Sequence, residues 1–75
     1  AENNMDVIKS IVKSKGAKDL KMKDGKLKMD AFTASAIAQV YDKVNPTNKK
    51  KMEQLANGRK ADLMKLQALA MKFVK

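Results

Sequence analysis

The chain has 75 residues, contains neither cysteine nor histidine, and carries a formal net charge of +9 at pH 7. Without these two residue types it forms no disulfide and no cysteine- or histidine-ligated zinc site, and it lacks a thiol nucleophile and the commonest general base. Hydrophobic residues make up 44% of the chain, which is typical of a folded globular domain. The length suits one domain, and we expect it to span residues 1–75.

The first predicted helix covers residues 5–15, because its apolar residues recur on one face at helical spacing. Asn3 and Asn4 precede it and are both candidate N-caps. Gly16 comes just after the last periodic residue and follows two lysines, which is typical of a helix C terminus. The pattern therefore predicts that this helix stops at Gly16.

Residues 20–29 alternate between apolar and basic side chains on both sides of Asp24-Gly25. This dipeptide favours a two-residue type I′ turn, because both residues tolerate positive φ. The resulting hairpin places Met22 opposite Leu27 and lysine opposite lysine on the other face. The two predicted faces are an apolar one, Leu20, Met22, Leu27 and Met29, and a basic one, Lys21, Lys23, Lys26 and Lys28.

The stretch of residues 30–44 is apolar around more than half of a helical circumference, so we expect it to form a buried central helix. Asp30 is its candidate N-cap. Pro46 ends it, because the residue before a proline is disfavoured in the α region. Asn45 and Pro46 then predict the start of a third helix over residues 46–57, with a thin apolar stripe and its lysines in solvent.

Gly58 separates the third helix from a last one that runs from residue 59 or 60 to residue 74. Its polar wedge is narrow, containing Lys65, Lys72 and Lys75, so we expect it to be largely buried and to pack antiparallel to the central helix. Together these elements predict a mainly helical α+β domain, ordered α-β-β-α-α-α, with the hairpin packed on a helical bundle.

The basic residues fall into two clusters, one on the predicted hairpin and one around the third helix. A strongly basic surface attracts polyanions, and we expect non-specific nucleic-acid binding. The alternative that these lysines are only a solvated surface stays open. The candidate binding residues are Lys21, Lys23, Lys26, Lys28, Lys49, Lys50, Lys51, Arg59 and Lys60.

Sequence-specific recognition is not expected, because Arg59 is the only arginine among 17 basic residues and arginine dominates base-edge readout. A helix-turn-helix of the last two helices is disfavoured because the second helix is too apolar. The aromatic residues Phe32, Tyr41 and Phe73 fall on stripes that predict core positions, which leaves no exposed ring on which bases could stack.

No catalytic residues, metal ligands or cofactors are predicted, and we expect the protein not to be an enzyme. The carboxylates are scattered, and Asp19, Asp24 and Asp30 lack the spacing of a calcium loop. No apolar run is long enough to cross a membrane. The predicted partner is nucleic acid or an acidic protein surface, with no membrane, and the expected location is the cytoplasm or a virion.

Residues 29–75, MDAFTASAIAQVYDKVNPTNKKKMEQLANGRKADLMKLQALAMKFVK, resemble small helical virion proteins of T4-like bacteriophages. The Ala1-Glu2 start is similar to the products of prohead processing in such phages. This resemblance implies a protein packaged in or attached to a phage head, acting on packaged DNA, on the capsid or on a host target after injection. It supplies an alternative function, a structural or inhibitory module that docks on another protein, with its lysines steering the encounter.

Overall fold

The computed structural model describes residues 3–73, which form four α-helices and one two-stranded antiparallel hairpin. This confirms the predicted mainly helical α+β class and the predicted order of elements. The elements are α1 (Asn4–Ser14), β1 (Ala17–Met22), β2 (Gly25–Asp30), α2 (Ala31–Lys43), α3 (Pro46–Ala56) and α4 (Lys60–Phe73). The prediction for residue 74, the expected end of the last helix, lies outside the described residues.

Three helices begin at short polar residues that accept a hydrogen bond from the first turn. Asn3 accepts from the Met5 N–H (2.9 Å), Asp30 from the Thr33 N–H (3.3 Å), and Asn45 from the Asn48 N–H (2.9 Å). Each bond satisfies a backbone donor that has no partner within the helix. The predicted caps of α2 and α3 are confirmed, whereas at α1 only the first of the two candidate asparagines acts as the N-cap.

The C terminus of α1 differs from the prediction by one residue. Lys15, and not Gly16, adopts the left-handed conformation, with φ 55° and ψ 29°. Because β1 already begins at Ala17, the chain has only two residues in which to reverse, and the first of them takes the left-handed position. A side chain there costs free energy that glycine would not.

The hairpin register also differs from the prediction, by two residues. Its turn is Lys23-Asp24 in place of Asp24-Gly25, and Met22 pairs with Gly25. A shift of two preserves which face each side chain occupies, since successive side chains alternate between faces. The apolar face therefore lies on the core as predicted: Leu20, Met22 and Met29 are buried and Leu27 is half-buried.

The new register changes the charge pairing on the outer face. Lys21 lies opposite Lys26, which is one like-charge pair where two were predicted, and Lys28 lies opposite Asp19. Opposite charges on a ladder stabilise the sheet slightly, and like charges destabilise it. The observed pairing is therefore electrostatically better than the predicted one.

The hydrophobic core lies where α2 packs against α1 and α4, and the apolar face of the hairpin covers it. Its buried members are Met5, Ile8, Ile11, Leu20, Met22, Met29, Ala34, Ala36, Ile37, Val40, Met52, Ala56, Leu63, Leu66 and Ala70. The alanines of α2 allow neighbouring helices to approach closely. Four of the six methionines fill this core, as methionine's flexible side chain allows.

The prediction that the last helix is largely buried is wrong. Only Leu63, Leu66 and Ala70 of α4 are buried, while Met64 and Phe73 are 60% and 70% exposed. The helix packs on α2 and α3, with a smaller contact to β2. These contacts cover one side of α4, so the apolar residues on its other side stay in solvent.

Two further expectations are also wrong. Phe32 and Phe73 are exposed and not in the core, while Tyr41 is half-buried. Phe73, at the end of α4, lies beside Val40 and Val44, at the end of α2. In an antiparallel pair these two C-terminal ends would lie far apart, so the prediction that α4 packs antiparallel to α2 is wrong. The intervening helix α3 reverses the chain between the two helices.

Candidate nucleic-acid interface

The hairpin turn docks on the loop between α3 and α4. The Lys23 N–H donates to the Gly58 carbonyl (2.9 Å), and the Asp24 carboxylate accepts from the Lys60 N–H (2.9 Å). Asp24 thus caps the N terminus of α4 from another part of the chain. Both bonds are made by the two turn residues, Lys23 and Asp24, so they favour the observed register.

Two glycines make this docking possible for different reasons. Gly25 has φ 137°, a conformation that L side chains rarely adopt. Gly58 provides space: a Cβ there would lie 2.5 Å from the Asp62 Oδ2 and 3.2 Å from the Gln54 carbonyl. Asp62 is held in place because its Oδ2 accepts from the Arg59 N–H (3.1 Å). The loop therefore closes tightly beneath the turn.

The docking brings the two predicted lysine clusters together. Lys21 and Lys26 lie opposite each other beside the turn, and the Lys60 ammonium comes within 3.0 Å of where a Gly25 Cβ would be. Lys23 and Lys50 line the same cleft. We call this group the turn surface; its six members are Lys21, Lys23, Lys26, Lys50, Arg59 and Lys60.

The other three candidate residues do not join the turn surface. Lys28 lies further along β2, opposite Asp19. Lys49 is half-buried, with its ammonium 5.4 Å from the centre of the Tyr41 ring. Lys51 is exposed on α3, but it follows Lys50 and so projects about 100° around the helix from it.

A solvent-open cleft of about 430 Å³ lies within the turn surface, between the hairpin turn, the start of α1 and α3. Its lining residues are Asn3, Lys23, Lys50, Glu53, Gln54 and Asn57. Ammonium and amide groups are donors to phosphate oxygens. The one carboxylate in the lining, Glu53, already accepts from the Tyr41 hydroxyl (2.7 Å).

Tyr41 is the centre of a second arrangement that the sequence did not reveal. The Lys9 ammonium lies 4.9 Å from its ring centre and the Lys49 ammonium 5.4 Å, both within the range of cation–π attraction. The hydrogen bond to Glu53 raises the pKa of the Tyr41 phenol, since it favours the protonated form. With its ring occupied in this way, Tyr41 is not available for stacking on a base.

Behind the turn surface, three asparagine side chains form a hydrogen-bond network around the buried Asn4. Asn4 is only 5% exposed, and its amide donates to the carbonyls of Lys21 and Ala56, both at 2.8 Å. Its backbone N–H donates to the Asn57 Oδ1 (2.8 Å), and the Asn57 amide donates to the Asn3 Oδ1 (3.1 Å). This network ties α1, β1 and α3 together and fixes the positions from which Lys21 and Lys23 project.

Sequence reasoning missed this network because it treated both asparagines as caps. One signal was present: Asn3 alone is enough to cap α1, so the second amide was left without a role. Polar groups that are buried require hydrogen-bond partners. Asn4 finds them in two elements far away in sequence, and a helical pattern does not show such partners.

Three aspartate side chains accept hydrogen bonds from backbone N–H groups at the starts of helices. Asp24 and Asp62 bond the start of α4, and Asp30 bonds the start of α2. The hydrogen bond from Thr33 lowers the pKa of the Asp30 carboxyl. At these positions the negative charge is compensated by the partial positive charge of a helix N terminus. These carboxylates therefore stabilise helix starts, and their negative charge is partly offset there.

Within residues 3–73, no group of three or more acidic side chains is arranged to hold a metal ion. No helix in this part of the chain combines the length and the apolar character needed to span a bilayer. The chain matches no protein-family model, and no curated protein or solved structure is significantly similar to it. Its resemblance to phage virion proteins stays a prediction.

Proposed function

We propose that this protein binds nucleic acid without sequence specificity, through the turn surface. The observation that supports this most is the docking of the hairpin turn on the α3–α4 loop, which brings basic residues of the hairpin close to those at the start of α4, with Lys23 and Lys50 lining one cleft. Such a cluster neutralises phosphates whatever the base sequence. The scarcity of arginine supports the absence of base readout.

The geometry favours contact with the phosphate backbone over contact with bases. Lys21 and Lys26 project from the outer face of a two-stranded hairpin, and Lys50 lies across the cleft from the turn. Engagement of about four to six phosphates gives a slope of log K against log salt of roughly −4 to −5. Two duplexes of different sequence should bind with equal affinity.

The test is the affinity for a labelled duplex of about 20 base pairs, measured by fluorescence anisotropy between about 50 and 200 mM salt. In the test variant, Lys21, Lys23, Lys26 and Lys50 are changed to glutamine. In the control variant, Lys13, Lys15, Lys43 and Lys51, which are exposed outside the turn surface, are changed to glutamine. Both variants lose four charges, so the net charge of the two proteins is the same.

We expect the turn-surface variant to bind at least about tenfold more weakly than the control and to show a shallower salt slope. Circular dichroism should show that both variants are folded, because all eight lysine side chains are exposed. Equal losses in the two variants would mean that only the net charge matters. Absence of binding to the duplex at the lowest salt would disprove the proposal.

A further inference from the structure

The dipeptide Asn57-Gly58, directly after α3, is the one asparagine–glycine pair in the sequence. An asparagine followed by glycine loses ammonia readily, because glycine has no side chain to hinder attack by its backbone nitrogen. In this reaction the Gly58 nitrogen bonds to the Asn57 Cγ and closes a five-membered succinimide. The carboxamide C–N bond breaks, and the amino group leaves as ammonia with the proton of the Gly58 N–H. Water then opens the ring at either carbonyl, giving aspartate or isoaspartate.

The Asn57 carboxamide is held on both sides by the fold. Its Nδ2 donates to the Glu53 carbonyl (2.7 Å) and to the Asn3 Oδ1 (3.1 Å), and its Oδ1 accepts from the Asn4 N–H (2.8 Å). Succinimide formation requires the Cγ to turn toward the next backbone nitrogen, and these three bonds oppose that rotation. The folded protein therefore protects Asn57 from its own neighbour.

The attacking group is held as well. The Gly58 N–H donates to the Leu55 carbonyl (3.3 Å), and the Gly58 carbonyl accepts from the Lys23 N–H (2.9 Å). Gly58 is thus the residue on which the hairpin turn docks. In isoaspartate the main chain runs through the former side chain, which adds one methylene between residues 57 and 58. A residue displaced in this way cannot restore both bonds.

The aspartate product is also incompatible with the network around Asn4. A carboxylate at residue 57 lacks the two N–H donors, so the Asn3 Oδ1 and the Glu53 carbonyl would face an oxygen in place of a donor. Polar groups that lose their partners on the inside of a fold destabilise it. Asn57 also lines the solvent-open cleft, so water can reach the succinimide.

We propose that Asn57 is a deamidation site that the asparagine network protects, and that its conversion releases the hairpin turn from the α3–α4 loop. The reaction proceeds from molecules in which this contact has opened, so its rate follows the fraction of open molecules. Loss of ammonia to solvent makes the change one-way. The proposal does not depend on nucleic-acid binding, since it rests only on bonds within the chain.

Asn48 provides an internal comparison. It is exposed on α3, so it is more accessible than Asn57, but the residue after it is Lys49. A side chain on the following residue hinders attack by that residue's nitrogen. In the unfolded chain Asn57 should therefore react first, although Asn48 is the more exposed of the two in the folded protein.

The test follows deamidation of the full chain in warm, mildly alkaline buffer, with and without denaturing urea, by mass spectrometry of proteolytic peptides. In urea, Asn57 should convert before any other asparagine. In the folded protein its conversion should be at least about tenfold slower, because only the open fraction reacts. This comparison needs no variant, so it holds whether or not a substituted chain folds.

A matched pair of variants tests the role of the network. Asn4→Ala removes the donors to the Lys21 and Ala56 carbonyls and should accelerate conversion of Asn57 in the folded protein at least about tenfold. Asn48→Ala removes an exposed asparagine of the neighbouring helix and should leave the rate at Asn57 unchanged.

The deamidated protein, which ion exchange separates by its added negative charge, tests the release of the turn. Hydrogen exchange at the Lys23 N–H, the donor to Gly58, should be at least about tenfold faster than in the unmodified protein. Exchange at Ile37, in the middle of α2, should change less.

Four results would overturn the proposal. The first is equal conversion of Asn57 in the folded and the unfolded protein, and the second is earlier conversion of Asn48 in urea. The third is an equal rate at Asn57 in the Asn4→Ala and Asn48→Ala variants. The fourth is unchanged exchange at Lys23 in the deamidated protein. Duplex binding enters none of these measurements, so this proposal and that of the turn surface fail separately.

Discussion

The two ends of α4 lie in different surroundings, although only about 21 Å separates the ends of a helix of this length. At its start, the turn end, the Lys60 N–H is capped by Asp24, and Asn4 is buried among hydrogen-bond partners nearby. We call the other end of α4 the groove end, because Phe73 borders a groove there with Val40 and Val44. At this end Phe73 is largely in solvent. Long-range polar bonds complete the fold at the first end, whereas at the second an apolar surface is left uncovered.

The difference between the two ends separates a surface that stabilises the fold from one that is available for contact. At the turn end, the backbone is held by bonds that span the chain, so the exposed lysines project from a fixed framework. At the groove end, apolar side chains gain little from the fold because they remain hydrated. The five predictions below test whether stability depends on the turn end and the core while the groove end contributes little.

The strongest contrast lies within α4 itself. Leu66→Ala should lower the free energy of unfolding by about 2–5 kcal/mol, because it leaves a cavity in the core. Phe73→Ala should change it by no more than about 0.5 kcal/mol, since Phe73 is largely exposed. Urea denaturation followed by circular dichroism measures both. A loss above about 2 kcal/mol for Phe73→Ala would show that the groove end is part of the core.

The buried asparagine should matter nearly as much as a core leucine. Asn4→Ala removes the donors to the Lys21 and Ala56 carbonyls and should cost about 2–4 kcal/mol, because buried acceptors are left without partners. Asn48→Ala, at an exposed position of α3, is the control and should stay within about 0.5 kcal/mol. Similar urea midpoints for the two variants would show that Asn4 does not stabilise the turn end.

The two glycines that border helices provide a matched pair. Gly58→Ala should destabilise the protein by about 1–3 kcal/mol, because its Cβ would clash with Asp62 and the Gln54 carbonyl. Gly16→Ala should be neutral or stabilise by about 0.4–1 kcal/mol, because the nearest atom, the Ser14 Oγ, is 3.7 Å away. Thermal melts compare the two, and a loss as large for Gly16 as for Gly58 contradicts the close approach of the loop.

Loss of the cap supplied by the hairpin should have a smaller effect. Asp24→Ala should cost about 1 kcal/mol, because the Lys60 N–H loses its acceptor. Asp42→Ala is the charge-matched control, and it should be neutral or slightly stabilising, because the helix dipole disfavours a carboxylate in the last turn of α2. If Asp24→Ala and the control have the same urea midpoint, the bond from the Lys60 N–H to Asp24 does not stabilise the turn.

The smallest effect concerns the titration of Tyr41. Absorbance at 295 nm reports on this phenol alone, because the chain has one tyrosine and no tryptophan. Its pKa is raised above 10.0, mainly by the hydrogen bond to Glu53. The associated stability is present below pH 10 and is lost as the pH rises through the folded pKa. Glu53→Gln should lower the titration midpoint of Tyr41 more than Asp42→Asn does. Equal midpoints in the two variants would contradict the hydrogen bond between Tyr41 and Glu53.

The sequence predicted the elements well because their signals are local. Asp30, Asn45 and Pro46 mark helix starts through bonds or restrictions within a few residues, and the structure confirms each. The alternation around residues 20–29 predicted the correct apolar face even in the wrong register, because a shift of two preserves the side-chain faces.

The sequence did not predict the register, because Asp24-Gly25 has the better turn chemistry, whereas the bonds to Gly58 and Lys60 favour the observed register. These residues are more than 30 positions away, and local patterns do not report such contacts. The exposure of α4 was missed for a related reason. Periodicity shows which side chains are apolar, but it does not show whether a small chain has enough elements to cover them.

The candidate site was only partly predicted for the same reason, because its residues are far apart in the sequence. Composition and spacing identified two lysine clusters, but not that the hairpin turn joins them. Lys49 looked like Lys50, yet it lies against Tyr41, since one residue along a helix changes the direction of a side chain by about 100°. Only the packing of α3 decides which of the two faces the cleft.

The long-range backbone bonds at the turn end also make particular amide protons informative. The Asn4 N–H is bonded to Asn57, 53 residues away, and the Lys60 N–H to Asp24, 36 residues away. Such contacts join distant segments, so we expect them to separate mainly when larger units open. Hydrogen exchange at Asn4 should therefore be slower than exchange near Phe73, which should follow local motion of the helix end.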